Sequence, residues 1–122
     1  MTQMIEVKTV ELAGAALDWA VAKAEGIRQH TPDGLRHTYW YTTDERCIGT
    51  HWSPSTSWSQ GGPLIEKYNA MIKGFPNQLY EDRPIARVDA KWCSGETNLI
   101  ALCRAIIKAK LGDVVSVPAE LA

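Results

Sequence analysis

Three cysteines and three histidines are the side chains in this sequence best suited to metal binding or nucleophilic catalysis. Cys47 and His51 are four residues apart, and Cys93 could approach them only if two distant strands pair. Zinc sites usually show compact paired ligands such as C-x2-C, which the sequence lacks. A Cys47 or Cys93 thiolate could pair with His37 or His51, but no spacing indicates such a pair. We therefore predict no metal, no cofactor and no catalytic residue.

The segment Trp52–Glu66 has an unusual composition for a loop. It combines two tryptophans, five serine or threonine residues, two prolines and a Gly-Gly pair. Ser, Pro and Gly are typical of linkers, whereas a tryptophan buries a large apolar area and needs a partner for its N–H. We therefore expect this segment either to pack on the core or to bind a partner. The candidate binding residues are Trp52, Ser55, Thr56, Trp58, Gln60, Gly61, Gly62 and Glu66.

The two tryptophans of this segment raise separate questions. We predict that Trp58 is buried and clamps the segment to the core, because Thr56, Gln60 and the Gly-Gly pair are suited to fixing the chain around it. A buried loop needs side-chain hydrogen bonds for its backbone, and Ser, Thr and Gln can supply them. For Trp52 both a core and a contact role remain open.

The Gly61-Gly62 pair precedes Pro63, a residue that suits the first turn of a helix. Amides at such a helix start could bind an anion. The sequence has neither the Walker lysine nor the full G-x-G-x-x-G spacing, and proline removes one of the donors. A structural turn is therefore favoured over a phosphate site.

Hydrophobic periodicity predicts two long helices, one after Thr9 to about Glu25 and one over Thr97–Leu111. Gly26 is placed to end the first helix, and Thr97 to cap the second. A shorter helix is expected to begin at Pro63. Strands are predicted at Met4–Lys8, His37–Thr42, Cys47–Trp52, Ile85–Trp92 and Val114–Val117. The predicted fold is α+β, with two long helices packed on a small antiparallel sheet.

Length and charge limit the class of protein. A chain of 122 residues predicts one domain over residues 1–122. A net charge of −1 with no basic run argues against nucleic-acid binding. No apolar run approaches membrane-spanning length, and three cysteines without paired spacing suit a reducing cytoplasm.

Several motifs resemble the NinX-like phage proteins. The central motif is Ser53-Pro54-Ser55-Thr56, Trp58, Gln60-Gly61-Gly62-Pro63 and Ile65-Glu66. Other stretches that are similar to the family are Glu11-Leu12, Leu17–Ala22, Ile100–Arg104, Lys110–Asp113 and Val117-Pro118. Ser57 departs from the family pattern, which has Asp or Asn before this tryptophan, and the change would weaken any contact made by that group. The resemblance implies a phage-encoded protein of the nin region in the cytoplasm of the bacterial host, and it implies no particular activity.

Two functions of different classes follow. The first is a non-enzymatic accessory protein that uses Trp52–Glu66 to bind a protein of the phage or its host. Five tryptophans and four tyrosines also make a homodimer a candidate. The alternative is a small enzyme with a polar site around Ser55, Thr56, Gln60 and Glu66. A deep cleft with convergent side chains would favour the enzyme, and a flat aromatic patch the binding protein.

Overall fold

A computed structural model of the chain describes residues 3–31, 34, 36–73 and 83–122. Short 3-10 turns at Thr9–Glu11 and Ala119–Leu121 accompany the regular elements. The predicted mixed α+β class is confirmed. In chain order the elements are β1 (Met4–Lys8), α1 (Gly14–Glu25), β2 (Arg28–His30), β3 (Tyr39–Tyr41), β4 (Cys47–Gly49), α2 (Trp58–Lys67), β5 (Met71–Lys73), β6 (Ile85–Val88), β7 (Lys91–Ser94), α3 (Asn98–Lys110) and β8 (Val114–Pro118).

The described strands form three small antiparallel sheets instead of the single sheet that we expected. Their orders are β1-β8, β2-β3-β4 and β5-β6-β7. In the first sheet the two ends of the described chain meet, with Glu6 opposite Ser116. The strands are three to five residues long, and α3 contacts the β5-β6-β7 sheet while α1 contacts β8. The three helices therefore make a larger part of the core than predicted.

Helix α3 lies at the centre of the molecule. Its residues from Ala101 to Ile107 are all buried, as is Leu99. A helix that is buried on every side needs neighbours all around it, and α3 contacts α1, α2 and the β5-β6-β7 sheet. Thr97 caps α3 as predicted, since its hydroxyl oxygen accepts a hydrogen bond from the Ile100 amide at 3.1 Å.

The first helix ends as predicted but begins later. Gly26 ends α1 with a φ of +71°, the left-handed conformation that glycine tolerates best. Thr9 does not cap it, because its hydroxyl donates to the Gly112 carbonyl oxygen at 2.7 Å, far along the chain. The chain instead makes a 3-10 turn, and α1 starts at Gly14.

The strand predicted over residues 85–92 is a hairpin. The chain reverses at Asp89 and Ala90, whose φ angles of +49° and +66° are typical of a tight hairpin turn. Val88 is buried as the alternation predicted. In a single strand over residues 85–92 the alternation would place Trp92 on the same face as Val88, but Trp92 lies after the turn and is 40% exposed.

Helical periodicity places Arg104 outside the apolar stripe of α3, which predicts an exposed side chain, but only 4% of the residue is exposed. Its Nε donates to the Leu12 carbonyl oxygen at 2.8 Å, and its Nη1 donates to the Ser94 carbonyl oxygen at 3.0 Å. The guanidinium also lies 3.6 Å from the Glu96 carboxylate. This side chain thus ties α3 to β7 and to the turn before α1. Across the described ranges, none of the helices is long and apolar enough to cross a membrane.

We predict that Arg104→Ala lowers the free energy of unfolding by about 2–4 kcal/mol, because the carbonyl group of the buried Leu12 and the carbonyl group of Ser94 both lose their donor. Arg87→Ala is the control, since Arg87 is an exposed arginine of β6; its change should be about 0.5 kcal/mol or less. Urea midpoints of the two variants beside the wild type provide the measurement. Equal midpoints for the two variants would show that the buried arginine does not join these elements.

Candidate functional site

The start of the Trp52–Glu66 segment is bonded to helix α1 through a single residue, Asp18. The Trp52 indole Nε1 donates to the Asp18 carbonyl oxygen at 3.1 Å. The Ser55 backbone amide donates to the Asp18 carboxylate oxygen Oδ1 at 2.9 Å. Asp18 and Ser55 are both buried, and Trp52 is half-buried. Trp52 is therefore the tryptophan that fixes this segment to the core.

Gln60 holds the same segment from its other end. Its Oε1 accepts a hydrogen bond from the Ser53 amide at 2.6 Å, and its Nε2 donates to the His51 carbonyl oxygen at 2.8 Å. One amide side chain thus satisfies a donor and an acceptor of the chain that precedes α2. The sequence predicted this fixing role, although around a different tryptophan.

Helix α2 begins at Trp58, five residues before the predicted start at Pro63. The Gly61 amide donates to the Ser57 carbonyl oxygen at 2.7 Å and closes the first turn. Pro63 is inside the helix, where it removes the amide that would bond the Ser59 carbonyl. Because the Gly-Gly pair is helical, its amides do not form the anion-binding loop that we considered.

The two glycines of α2 differ in their surroundings. A Cβ atom on Gly61 would lie 2.4 Å from the Pro54 carbonyl oxygen and 2.8 Å from a methyl carbon of Leu99. The backbone of the segment therefore crosses α2 at a distance that only glycine permits. At Gly62 the nearest atom to an added Cβ would be a ring carbon of Trp58, at 3.8 Å.

Our prediction that Trp58 is a buried clamp is wrong. The residue is 56% exposed. It is the first residue of α2, one turn before Gly61. Trp58 and Asn98, the first residue of α3, line the same cavity. At this edge the core no longer covers the side chain, so Trp58 is presented at the surface.

Two cavities flank the segment, and Ser55 and Thr56 contribute to both. The larger, which we call the α1 cleft, has a volume of about 680 Å³. The smaller, which we call the Trp58 pocket, has a volume of about 360 Å³. The α1 cleft is lined by Met4, Gly14, Ala15, Asp18, Trp19, Gln29, Trp40, Thr50, His51, Trp52, Ser53, Ser55, Thr56, Pro118, Glu120 and Leu121. The Trp58 pocket is lined by Ser55, Thr56, Trp58, Thr97, Asn98, Leu99 and Ile100.

The predicted site residues are therefore divided between different places. Trp52 lines the α1 cleft, and Trp58 lines the Trp58 pocket. Gln60 and Gly61 have structural roles, and Glu66 is exposed and lines neither cavity. The polar cluster of Ser55, Thr56, Gln60 and Glu66 that we considered for an enzyme is not assembled.

Sequence reasoning missed three residues of the α1 cleft: Asp18, Trp19 and Trp40. Asp18 is a buried acidic residue among apolar residues of α1, and a carboxylate at such a position was the signal in the sequence. Burial raises the pKa of Asp18 above its usual value, and the hydrogen bond from Ser55 opposes part of that rise.

The described thiols are poorly suited to catalysis. Cys93 and Cys103 are buried, and burial raises the pKa of each thiol, which disfavours the reactive thiolate. Cys47 is exposed. His51 contacts the Thr50 hydroxyl through Nδ1 at 2.9 Å. Within the described ranges, no three His, Cys, Asp or Glu side chains are grouped closely enough to hold a metal ion.

Comparison with known families gives one finding for this chain. A family model described as Bacteriophage P22, NinX matches residues 8–110, which include α1, α2 and α3. A search of curated proteins returned no match. The match spans the segment and most residues of both cavities.

We predict that Gly61→Ala lowers the free energy of unfolding by about 1–3 kcal/mol, because the added methyl group meets the Pro54 carbonyl. Gly62→Ala is the matched control one position later. It should be neutral or stabilising by up to about 1 kcal/mol, since alanine suits a helix better than glycine. Thermal or urea unfolding compares the pair. Equal effects at both positions would contradict the close crossing.

We also predict a pH-dependent effect of Asp18→Asn, which keeps an oxygen for the Ser55 amide and removes the charge. The pKa of Asp18 in the folded state is raised above its ordinary value of 3.8. The free energy of unfolding of the wild type therefore falls as the pH rises from 3.8 through the folded-state pKa. The variant does not titrate there, so its stability relative to wild type should increase with pH and then level off. Urea unfolding from about pH 3 to pH 7 measures this difference. A difference that does not change with pH would contradict the burial of the charge.

Proposed function

The chain belongs to the bacteriophage P22 NinX family, and we propose that it is a phage accessory protein that binds a protein partner through the surface around Trp58. We call this the Trp58 surface, formed by Thr56, Trp58, Thr97, Asn98 and Ile100. The observation that carries the proposal is the exposure of 56% of Trp58 on a segment that is otherwise fixed.

The rigidity of the segment supports a binding role. Asp18 and Gln60 hold the chain before Trp58 with four hydrogen bonds. Gly61 brings α2 against the same chain. A backbone that is held in place before binding loses little conformational entropy when a partner covers the tryptophan that follows it. Large aromatic side chains of this kind dominate many protein interfaces.

A polar group beside Trp58 is also suited to a partner. Asn98 lines the Trp58 pocket, and its Oδ1 is buried without a hydrogen-bond donor from the described residues. Unpaired buried acceptors cost free energy and are uncommon in folded proteins. If the amide group of Asn98 turns outward, a donor group from a bound protein would give this oxygen a partner.

The enzyme alternative is favoured by one feature, the concave α1 cleft with Asp18, His51 and several hydroxyl groups. Two contacts argue against catalysis there. Asp18 accepts a hydrogen bond from a backbone amide, and the described contact of the His51 ring is with Thr50. The described hydroxyl–imidazole hydrogen bond of this cleft joins the neighbouring, exposed residues Thr50 and His51, and no described carboxylate orients the ring. Binding is therefore the better interpretation.

We predict that Trp58→Ala keeps the fold, with a change in the free energy of unfolding of about 0.5 kcal/mol or less, and loses the partner. Loss of an interface tryptophan typically weakens binding by about 2 kcal/mol or more, roughly 30-fold. Capture of proteins from phage-infected host cells, compared with wild type, gives the readout. Trp92→Ala is the control, since Trp92 is an exposed tryptophan of β7 in a different sheet.

The two variants separate the outcomes. Loss of the same captured protein from Trp58→Ala and not from Trp92→Ala supports the Trp58 surface. Equal capture by Trp58→Ala and wild type would overturn it. If the captured protein is a second copy of this chain, sedimentation of Trp58→Ala should shift from dimer to monomer.

A further inference from the structure

The α1 cleft is lined by a buried acidic residue, Asp18, that has no ion-pair partner among the described residues. Only 9% of Asp18 is exposed. Its carboxylate accepts the Ser55 amide, but none of the described ion pairs includes it. The residues outside the described ranges include no Lys or Arg. Buried carboxylates are normally paired, because removing a charge from water is costly.

The other charged group on the cleft wall has the same sign. Glu120 lines the cleft, and no Lys or Arg does. Lys23 and Arg28 instead line an adjacent cavity that shares Trp19 and Trp40. The electrostatic character of the α1 cleft therefore attracts a positive group.

Three of the five tryptophans line the same cleft as Asp18: Trp19, Trp40 and Trp52. The face of a tryptophan ring attracts cations, and it does so most strongly when both groups are removed from water. Trp19 already shows this property, since the Lys23 Nζ lies 5.7 Å from its ring centroid. A carboxylate next to aromatic rings favours organic cations, because the rings attract the cation as well. Metal ions are disfavoured, because hard cations need several oxygen ligands.

We propose that the α1 cleft binds an organic cation, an alkylammonium or guanidinium group, with Asp18 as the counter-charge and Trp19, Trp40 and Trp52 as the aromatic wall. The volume of about 680 Å³ admits a small amine or the side chain of a basic residue from a protein. The hydroxyl groups of Ser53 and Thr50 on the wall can accept further N–H groups. This site adjoins the Trp58 surface at Thr56, but the proposal does not rest on the binding role of Trp58.

The test is a titration of the full-length protein, followed through the five indole N–H signals in NMR spectra. The probes are capped lysine and capped arginine amides, the free amine spermidine, and capped norleucine amide as a neutral analogue of lysine. We expect saturable shifts at Trp19, Trp40 and Trp52 with the cationic probes, while Trp58 and Trp92 change little. The neutral probe should bind at least about tenfold more weakly, as expected for a lost charged contact.

Asp18→Asn is the matched variant, because its amide oxygen can still accept the Ser55 N–H. It should weaken cation binding by about tenfold or more. Tighter binding of the capped residues than of spermidine would identify a basic side chain of a protein as the source of the cation, and the reverse order would identify a free amine. Equal binding of the neutral probe, or undiminished binding by Asp18→Asn, would overturn the proposal. So would the absence of saturable shifts with every cationic probe.

Discussion

The burial of helix α3 on all sides is the constraint on which the rest of the structure depends. A central helix of this kind needs an apolar neighbour in each direction. The short strands do not form one broad sheet, so α1, α2 and the β5-β6-β7 sheet share that task. Leu99 at the start of α3 meets Gly61, and this contact sets how closely α2 approaches. The position of α2 in turn decides where the segment before it must cross.

The Trp52–Glu66 segment places its two tryptophans in different environments. Asp18 fixes Trp52 and Ser55 against α1, while the early start of α2 leaves Trp58 outside the core. The same short stretch thus forms a wall of the α1 cleft and the support of an exposed tryptophan. In this arrangement Asp18 has two roles. Its carbonyl and one carboxylate oxygen hold the segment, and its buried charge gives the cleft its preference for cations.

Patterns with strong local signals were predictable from the sequence. Gly26 and Thr97 are helix caps as predicted, and the stripe of α3 is buried. The failures have both long-range and local causes. Thr9 bonds Gly112 instead of capping α1, and the turn at Asp89 uses left-handed backbone that the alternation did not reveal. The segment was identified as the site region, but its partner Asp18 lies 37 positions from Ser55, and one sequence cannot show that pairing.

The central claim is that Trp52 fixes the segment and Trp58 is presented at the surface. Hydrogen exchange at the two indole N–H groups and at the Ser55 amide tests it most directly, since protection reports bonded and buried groups. We predict slow exchange at the Trp52 indole and at the Ser55 amide, and exchange at the Trp58 indole close to that of a free tryptophan. Protection of Trp58 together with rapid exchange at Trp52 would contradict the account.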